Sequence, residues 1–152
     1  MPTIVADSTE ETRRVGELIG QHAHAGTIVA LVGDLGAGKT VLAKGIGAGL
    51  QVPSRVVSPT FVLVQAHEGG RLPLWHADLY RLGDADEIEQ IGLVELAESG
   101  GVTVVEWADR FPEVLPADHL RVVFTDLDID RRQLLVEATG PRHRHLEVVV
   151  GG

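Results

Sequence analysis

The sequence predicts an α/β protein, because strand-like and helix-like segments alternate around a glycine-rich turn. Residues 27–32 (Thr-Ile-Val-Ala-Leu-Val) form a short apolar, β-branched run that is typical of a buried strand. A helical segment can continue from Val41 to Leu50, and residues 102–107 predict a second buried strand. The turn between the strand at residues 27–32 and the helix that follows it contains the residues expected to bind a ligand.

Residues 33–40 read Gly-Asp-Leu-Gly-Ala-Gly-Lys-Thr and match the phosphate-binding pattern G-x-x-x-x-G-K-[ST]. The glycines let the backbone turn tightly and aim N–H groups inward, Lys39 can reach the β- and γ-phosphates, and the Thr40 hydroxyl can ligate Mg²⁺. The phosphates would lie at the helix N-terminus, where the first N–H groups have no partner. The predicted nucleotide-binding residues are Asp34, Leu35, Gly36, Ala37, Gly38, Lys39, Thr40 and Val41.

An accidental glycine-rich turn is the alternative explanation of this match. The 18 glycines of the chain favour that alternative, whereas its two lysines, Lys39 and Lys44, disfavour it. The strand and the helix that the motif requires are both predicted, so we expect a nucleoside triphosphate site.

Length and composition predict a single domain spanning residues 1–152, large enough to bury a core. The chain has no cysteine, which excludes disulfides and thiolate metal sites. No apolar stretch approaches the ~18 residues of a membrane span. The N-terminal segment is acidic where a signal peptide is basic, so we expect a cytoplasmic protein.

The formal net charge is −9, from 13 basic and 22 acidic side chains. A protein that grips a nucleic acid backbone unaided normally presents a basic face, so direct, tight binding to tRNA or DNA is disfavoured. Docking on another protein that binds nucleic acid stays open.

The remaining segments predict an ordinary set of helices and strands. Ser8 and Glu11 have the spacing of a capping box, which predicts a first helix over about residues 9–23. Glycines in the helix after the loop permit close approach to a sheet or partner, although a frayed helix end explains Gly49 equally well. Further strands are predicted at residues 2–7 (an edge strand), 61–66, 72–78, 120–124, 134–138 and 146–150, with a hairpin turn at 67–71 and a turn at 126–132.

Three residues outside the loop are candidates for the chemistry. Glu106 ends an apolar strand, as a Walker B carboxylate does, and is expected to bind Mg²⁺ directly or through water. Asp78 also ends a strand, on the same side as His76. Thr60 lies soon after the helix that follows the phosphate-binding loop and is a candidate switch residue that senses the γ-phosphate. A surface Glu at a strand end, and a simple turn at Ser58-Pro59-Thr60, are the alternatives.

Two other features have unremarkable explanations. The pairs His22/His24 and His143/His145 have only a weak prospect as metal ligands. The acidic segment 83–100 is expected to be a solvated helical face, with a docking surface as the alternative.

The sequence lacks an Asn-Lys-x-Asp guanine-reading motif, so ATP is expected rather than GTP.

Four segments together resemble one family. They are the loop at 33–40, Ser-Pro-Thr-Phe at 58–61, His-Ala-Asp-Leu-Tyr-Arg-Leu at 76–82 and Val-Glu-Trp at 105–107. Their order and spacing resemble TsaE (formerly YjeE), the bacterial ATPase needed to make threonylcarbamoyladenosine in tRNA. The resemblance runs from about residue 8 to about residue 137.

The resemblance implies a P-loop NTPase fold with a central, mostly parallel sheet, added antiparallel strands and flanking helices. It implies ATP and Mg²⁺ as cofactors, slow ATP hydrolysis, and assembly with the TsaD and TsaB proteins, through which tRNA is reached indirectly. The ATPase of the family supports turnover of that complex rather than the transfer itself.

By position, the resemblance implies that Lys39 holds phosphates and that Thr40 and Glu106 hold Mg²⁺. Asp78 would lie near the γ-phosphate and help to orient water. Thr60 would sit in a switch-like segment, and Trp107 would pack beside the site. Arg132 and residues 7–9 are weaker candidates for nucleotide contacts. One departure is Val41, where many members have a second Thr; this removes a hydroxyl near the α-phosphate.

Two other functions stay open at this point. One is a P-loop kinase of a small metabolite, in which Asp78 would be the base; no arginine-rich lid is evident, which disfavours it. The other is a nucleotide switch that binds ATP without hydrolysing it.

Overall fold

The computed structural model describes residues 2–33, 37–53, 64–78, 92–106, 108, 115–128 and 131–151. These residues contain seven strands and four α-helices. The strands are β1 (Thr3–Ala6), β2 (Ile28–Val32), β3 (Val64–His67), β4 (Leu74–Asp78), β5 (Val102–Glu106), β6 (Leu120–Asp126) and β7 (Arg132–Ala138). The helices are α1 (Thr9–His22), α2 (Ala37–Gly49), α3 (Leu93–Glu98) and α4 (Arg144–Gly151), with a 3₁₀ turn at Pro141–His143.

The strands form one mixed sheet in the order β1-β7-β6-β2-β5-β4-β3. The four middle strands, β6, β2, β5 and β4, run parallel. The outer strands β1, β7 and β3 pair antiparallel with their neighbours. This confirms the predicted α/β fold with a parallel centre and added antiparallel strands. The carboxyl ends of the parallel strands therefore share one edge of the sheet, where sites of α/β proteins form.

Buried apolar side chains of the sheet and the helices form one large cluster. β2 is apolar throughout, as expected for a central parallel strand covered on both faces. Leu31 of β2 and Val104 of β5 have no exposed surface and belong to one cluster with Leu42 and Ile46 of α2. The core thus fixes α2 against β2 and β5.

Glycines let α1 and α2 touch through their backbones. A Cβ built on Gly16 would lie 2.3 Å from the Leu42 carbonyl oxygen, and one on Gly45 would lie 2.1 Å from that of Arg13. Gly20 and Gly49 face each other in the same way one turn further along. The close approach predicted for the α2 glycines is confirmed, and the partner is α1. Gly49 makes the same contact, so this end of α2 packs against α1 and is not frayed.

The predicted last strand at residues 146–150 is wrong. These residues belong to α4, which follows a 3₁₀ turn with Pro141 near its start. Leu146 is fully buried and Val150 packs against the core, whereas Val148 is 73% exposed. A helix buries one stripe of this segment against the core, and that packing overrides the β-propensity of its valines.

The other boundaries differ slightly from the predictions. α2 begins at Ala37 rather than after the loop motif, so Gly38, Lys39 and Thr40 lie in its first turn. β3 and β4 pair from His67 and Leu74, so the predicted hairpin has residues 68–73 as its connection. No helix within the described ranges has the length and apolar character needed to span a bilayer.

Candidate functional site

The site begins where β2 ends and the chain turns toward α2. Gly33 has φ +150°, and a Cβ there would lie 2.9 Å from the carbonyl oxygen of Phe124 on β6. Both the backbone angle and the close approach require glycine at this position. The first residue of the phosphate-binding motif is thus fixed by the neighbouring strand.

Lys39 is the buried cation of the site. It lies in the first turn of α2, is only 3% exposed, and its Nζ donates to the Gly33 carbonyl oxygen at 2.9 Å. Burial of an ammonium group is costly unless polar partners surround it, so the side chain is held within the loop rather than in solvent. Thr40 and Val41 follow on the helix and are half-buried.

Two carboxylates end adjacent strands beside the loop. Glu106 is the last residue of β5 and is 3% exposed, and Asp78 is the last residue of β4 and is half-buried. The two are register partners across the parallel pair β4–β5, and Glu106 is also level with Leu31 of β2. Paired residues share a face of the sheet, so both side chains lie on the face that packs against α2.

A histidine that the sequence assigned to no role contacts Glu106. His76 of β4 is fully buried, and its Nε2 lies 2.5 Å from Oε2 of Glu106. The pattern His-x-Asp predicted that His76 and Asp78 would share a side, which the strand register confirms. The contact to Glu106 could have been anticipated only from the pairing of β4 with β5.

Arg132 reaches the start of α2 from the β6–β7 hairpin. A Cβ on Gly38 would lie 3.1 Å from the Phe124 ring and 3.6 Å from Nε of Arg132. The same Nε lies 3.1 Å from Oδ1 of Asp126. The structure therefore brings Arg132 next to Gly38 of the phosphate-binding motif, and its contact with the nucleotide stays a prediction.

The segment 7–9 lies next to this hairpin. Ser8 caps α1 by accepting from the Glu11 N–H, and the Glu11 carboxylate accepts from the N–H of Asp7 rather than from that of Ser8. Asp7 Oδ1 accepts from Nε of Arg131 at 3.0 Å, and Ala6 pairs with Arg132 in the sheet. The start of α1 and the β6–β7 hairpin thus form one side of the site.

Several predicted residues lie outside the described part of the chain. They are Asp34, Leu35, Gly36, Thr60, Trp107 and the first half of the acidic segment 83–100, residues 83–91.

His143, the first of the two C-terminal histidines, has a structural role. His143 is 2% exposed, its Nε2 accepts from the Ile28 N–H at 2.9 Å, and its Nδ1 donates to Asp118 Oδ1 at 2.7 Å. Burial lowers the pKa of His143, against the opposing effect of Asp118. Among the described residues, no group of three or more His, Cys, Asp or Glu side chains could hold a metal ion.

The donor set beside the loop suits a hard divalent cation. Thr40 offers a hydroxyl and Glu106 a carboxylate, and Mg²⁺ binds oxygen ligands, typically one or two from the protein together with phosphate and water. His76 engages Oε2 of Glu106, so Oε1 is the oxygen that can face a cation or its water. Lys39, the α2 N-terminus and these oxygens can together bind a triphosphate with its metal ion.

Comparisons with known proteins show the family of the chain. The family profile described as "Threonylcarbamoyl adenosine biosynthesis protein TsaE" matches residues 6–134. The chain is 40% identical over 137 residues to the "tRNA threonylcarbamoyladenosine biosynthesis protein TsaE" of Bacillus subtilis, covering 90% of this chain and 85% of the relative. It is 42% identical over 139 residues to the protein of the same name from Streptomyces coelicolor, covering 90% and 88%.

A solved structure is also similar. The crystal structure of YdiB from Bacillus subtilis superposes with a TM-score of 0.84 at 33% sequence identity. The similarity covers 97% of this chain and 92% of the solved one, so it extends over nearly all of both proteins.

Proposed function

The chain belongs to the TsaE family, and on that premise we propose that it is an Mg²⁺-dependent ATPase that serves the synthesis of threonylcarbamoyladenosine in tRNA. The observation that carries the proposal is the hydrogen bond of Lys39 to Gly33, at the end of β2, where the neighbouring strands β5 and β4 end in Glu106 and Asp78. The relatives' names supply the pathway, and the site supplies the chemistry.

The proposed reaction is phosphoryl transfer from ATP to water. Lys39 and the backbone N–H groups of the loop hold the phosphates, and Thr40 and Glu106 hold Mg²⁺. The metal ion, when bound, neutralises charge that develops on the phosphate oxygens. Asp78 orients the attacking water, since its carboxylate ends the strand next to Glu106 and is less buried.

The remaining candidates complete the nucleotide site in this proposal. Arg132 contacts the nucleotide from the β6–β7 hairpin, and residues 7–9 lie beside it. The resemblance adds Thr60 as a switch residue and Trp107 as a residue beside the site; both lie outside the described part of the chain. One sheet contains strands from Thr3 to Ala138, which supports a single P-loop ATPase domain over residues 1–152.

We expect slow hydrolysis by the isolated protein and control of it by partners. The proposed partners are the TsaD and TsaB proteins, in a complex that forms with ATP and that contacts tRNA through those partners. A net charge of −9 favours docking on a protein over direct tRNA binding. The proposed location is the cytoplasm, where tRNA is modified.

The proposal is tested by two measurements on the purified chain. Phosphate release from ATP is followed with Mg²⁺ and with EDTA, and co-elution with a TsaB–TsaD pair is followed with ATP·Mg²⁺ and with ADP. We expect slow, Mg²⁺-dependent release and association governed by the nucleotide. ATP consumption that rises with a metabolite and not with the partners would instead indicate a kinase. Binding of ATP without any hydrolysis, together with association, would indicate a non-hydrolysing switch.

A further inference from the structure

His76 occupies a position where packing alone would favour an aliphatic side chain. It lies on the core face of the sheet between Leu74 and the strand end, and its register partner on β5 is Val104. Leu74, Val104 and His76 are all fully buried. Burial of an imidazole costs free energy unless hydrogen bonds replace those to water, so we expect the ring to have a polar partner.

The polar partner of His76 is Glu106. A carboxylate only accepts hydrogen bonds, so the proton lies on Nε2 of His76, which donates to Oε2 across 2.5 Å. The other ring nitrogen, Nδ1, is buried and has no hydrogen-bond partner in the described part of the chain. The polarity of the ring is therefore directed at Glu106.

The strand register shows what this contact does to Glu106. Glu106 is paired with Asp78, so His76 lies one step back along β4, in the diagonal position. Diagonal neighbours on one face are within reach only of long side chains. The side chains of His76 and Glu106 therefore meet along the diagonal, and the hydrogen bond selects the Glu106 rotamers that allow this contact.

We infer that His76 is a positioning residue that fixes Glu106 for the metal ion, an inference that rests on the proposed Mg²⁺ role of Glu106. His76 touches neither nucleotide nor metal; it holds Oε2 and so leaves Oε1 to face the cation or its water. Groups that orient a metal ligand in this way typically change metal affinity or activity by about 10–100-fold when they are removed.

The test compares His76→Leu, which has no donor, with His76→Gln, whose side-chain N–H reaches about as far as Nε2. The probe is a fluorescent, non-hydrolysable ATP analogue titrated at increasing Mg²⁺ concentrations, with hydrolysis as a second readout. We expect His76→Leu to raise the Mg²⁺ concentration for half-maximal effect by about tenfold or more. Analogue affinity without Mg²⁺ should stay within about twofold, and His76→Gln should stay within about threefold of the wild type.

A double-variant cycle separates positioning from general disturbance of the core. If His76 acts through Glu106, His76→Leu adds no further shift in a Glu106→Gln background. Circular dichroism and the Mg²⁺-free affinity show whether each variant is folded. Should His76→Leu not fold, His76→Asn replaces it, since its N–H is too short to reach Glu106 and we expect the same rise in Mg²⁺ requirement.

The outcomes are distinct. Equal Mg²⁺ dependence of the donor-less variant and the wild type, or an undiminished shift in the Glu106→Gln background, would overturn the inference while leaving the Mg²⁺ site intact. Analogue binding by the wild type that does not respond to Mg²⁺ at all would overturn the proposed metal role of Glu106, and the inference with it.

Discussion

Asp78 and Glu106 are register partners across β4 and β5, so two carboxylates end adjacent parallel strands on the same face of the sheet. Their surroundings differ: Glu106 is 3% exposed and hydrogen-bonded to His76, whereas Asp78 is half-buried. This difference divides the two proposed roles, with the fixed carboxylate on the metal ion and the more open one on water.

The two carboxylates should therefore respond differently to neutral substitution. We predict that Asp78→Asn lowers kcat for ATP hydrolysis by about 100-fold or more, because a general base typically contributes 10²–10⁴-fold, with little change in the Mg²⁺ requirement. Glu106→Gln should raise the Mg²⁺ concentration needed for half-maximal activity. Steady-state phosphate release at varied Mg²⁺ distinguishes the variants, and identical Mg²⁺ profiles for both would contradict the division.

Lys39 provides the sharpest test of the phosphate site. We predict that Lys39→Ala reduces ATP turnover by at least about 100-fold, because the loss of a preorganised charge on the phosphates costs about 3 kcal/mol or more in the transition state. Lys44→Ala is the matched control, since Lys44 is the other lysine of the chain and lies on the same helix. A Lys39→Ala protein that hydrolyses ATP as fast as the Lys44→Ala protein would disprove the site assignment.

The backbone contact between α1 and α2 predicts a large stability effect. Gly45→Ala would place a methyl group 2.1 Å from the Arg13 carbonyl oxygen, so the helices must separate. We expect a loss of about 2–4 kcal/mol in the free energy of unfolding, measured by urea titration, since overpacking against rigid backbone is costly. Ala48→Ser, at an exposed position of α2, should change it by less than about 0.5 kcal/mol. A Gly45→Ala protein as stable as the Ala48→Ser protein would exclude the close approach.

His143 makes stability depend on pH. Its neutral ring accepts from Ile28 N–H and donates to Asp118, and burial lowers its pKa below the ordinary 6.5. The unfolded chain then binds the proton more readily, so this contribution is complete above pH 6.5 and is lost as the pH falls through the lowered folded-state pKa. Burial raises the pKa of Asp118, but hydrogen bonds from Arg142 and His143 outweigh it and leave the pKa below 3.8.

The contribution of Asp118 is therefore lost only in stronger acid, whereas that of His143 is lost below pH 6.5. Burial also lowers the pKa of His67, so a His143 variant is needed to separate the two histidines. We predict that His143→Leu costs about 1–3 kcal/mol at pH 7.5, because it leaves the Ile28 N–H unpaired. The difference from the wild type should shrink at pH 5.5. His22→Ala is the control, since that side chain is exposed at the end of α1. A pH-independent cost of the His143 substitution would refute the linkage.

The sequence predicted those features that depend on neighbours along the chain. The strand at 28–32, the helix after the loop, and the acids that end β4 and β5 follow from local patterns of apolar residues and motif spacing. The resemblance supplied the parallel centre of the sheet, which the strand pairing confirms.

The features that were missed depend on residues far apart in the chain. From the sequence, His143 has only a weak prospect as a metal ligand. In the structure its ring lies between Ile28 and Asp118, which are 115 and 25 positions away in the chain. The valines near the C-terminus favour a strand locally, and only packing against the core makes them a helix. The His76–Glu106 contact likewise requires the β4–β5 register, which local patterns do not fix.

The most direct measurement of the central proposal is the number of threonylcarbamoyladenosine nucleosides formed per TsaD in a reconstituted reaction with TsaB, tRNA, an activated threonylcarbamoyl donor in excess, ATP and Mg²⁺. We predict many turnovers with the wild-type chain, and about one or fewer when the chain is omitted or carries Lys39→Ala. Equal multiple-turnover yields with and without the chain would contradict its role as the ATPase that supports this modification.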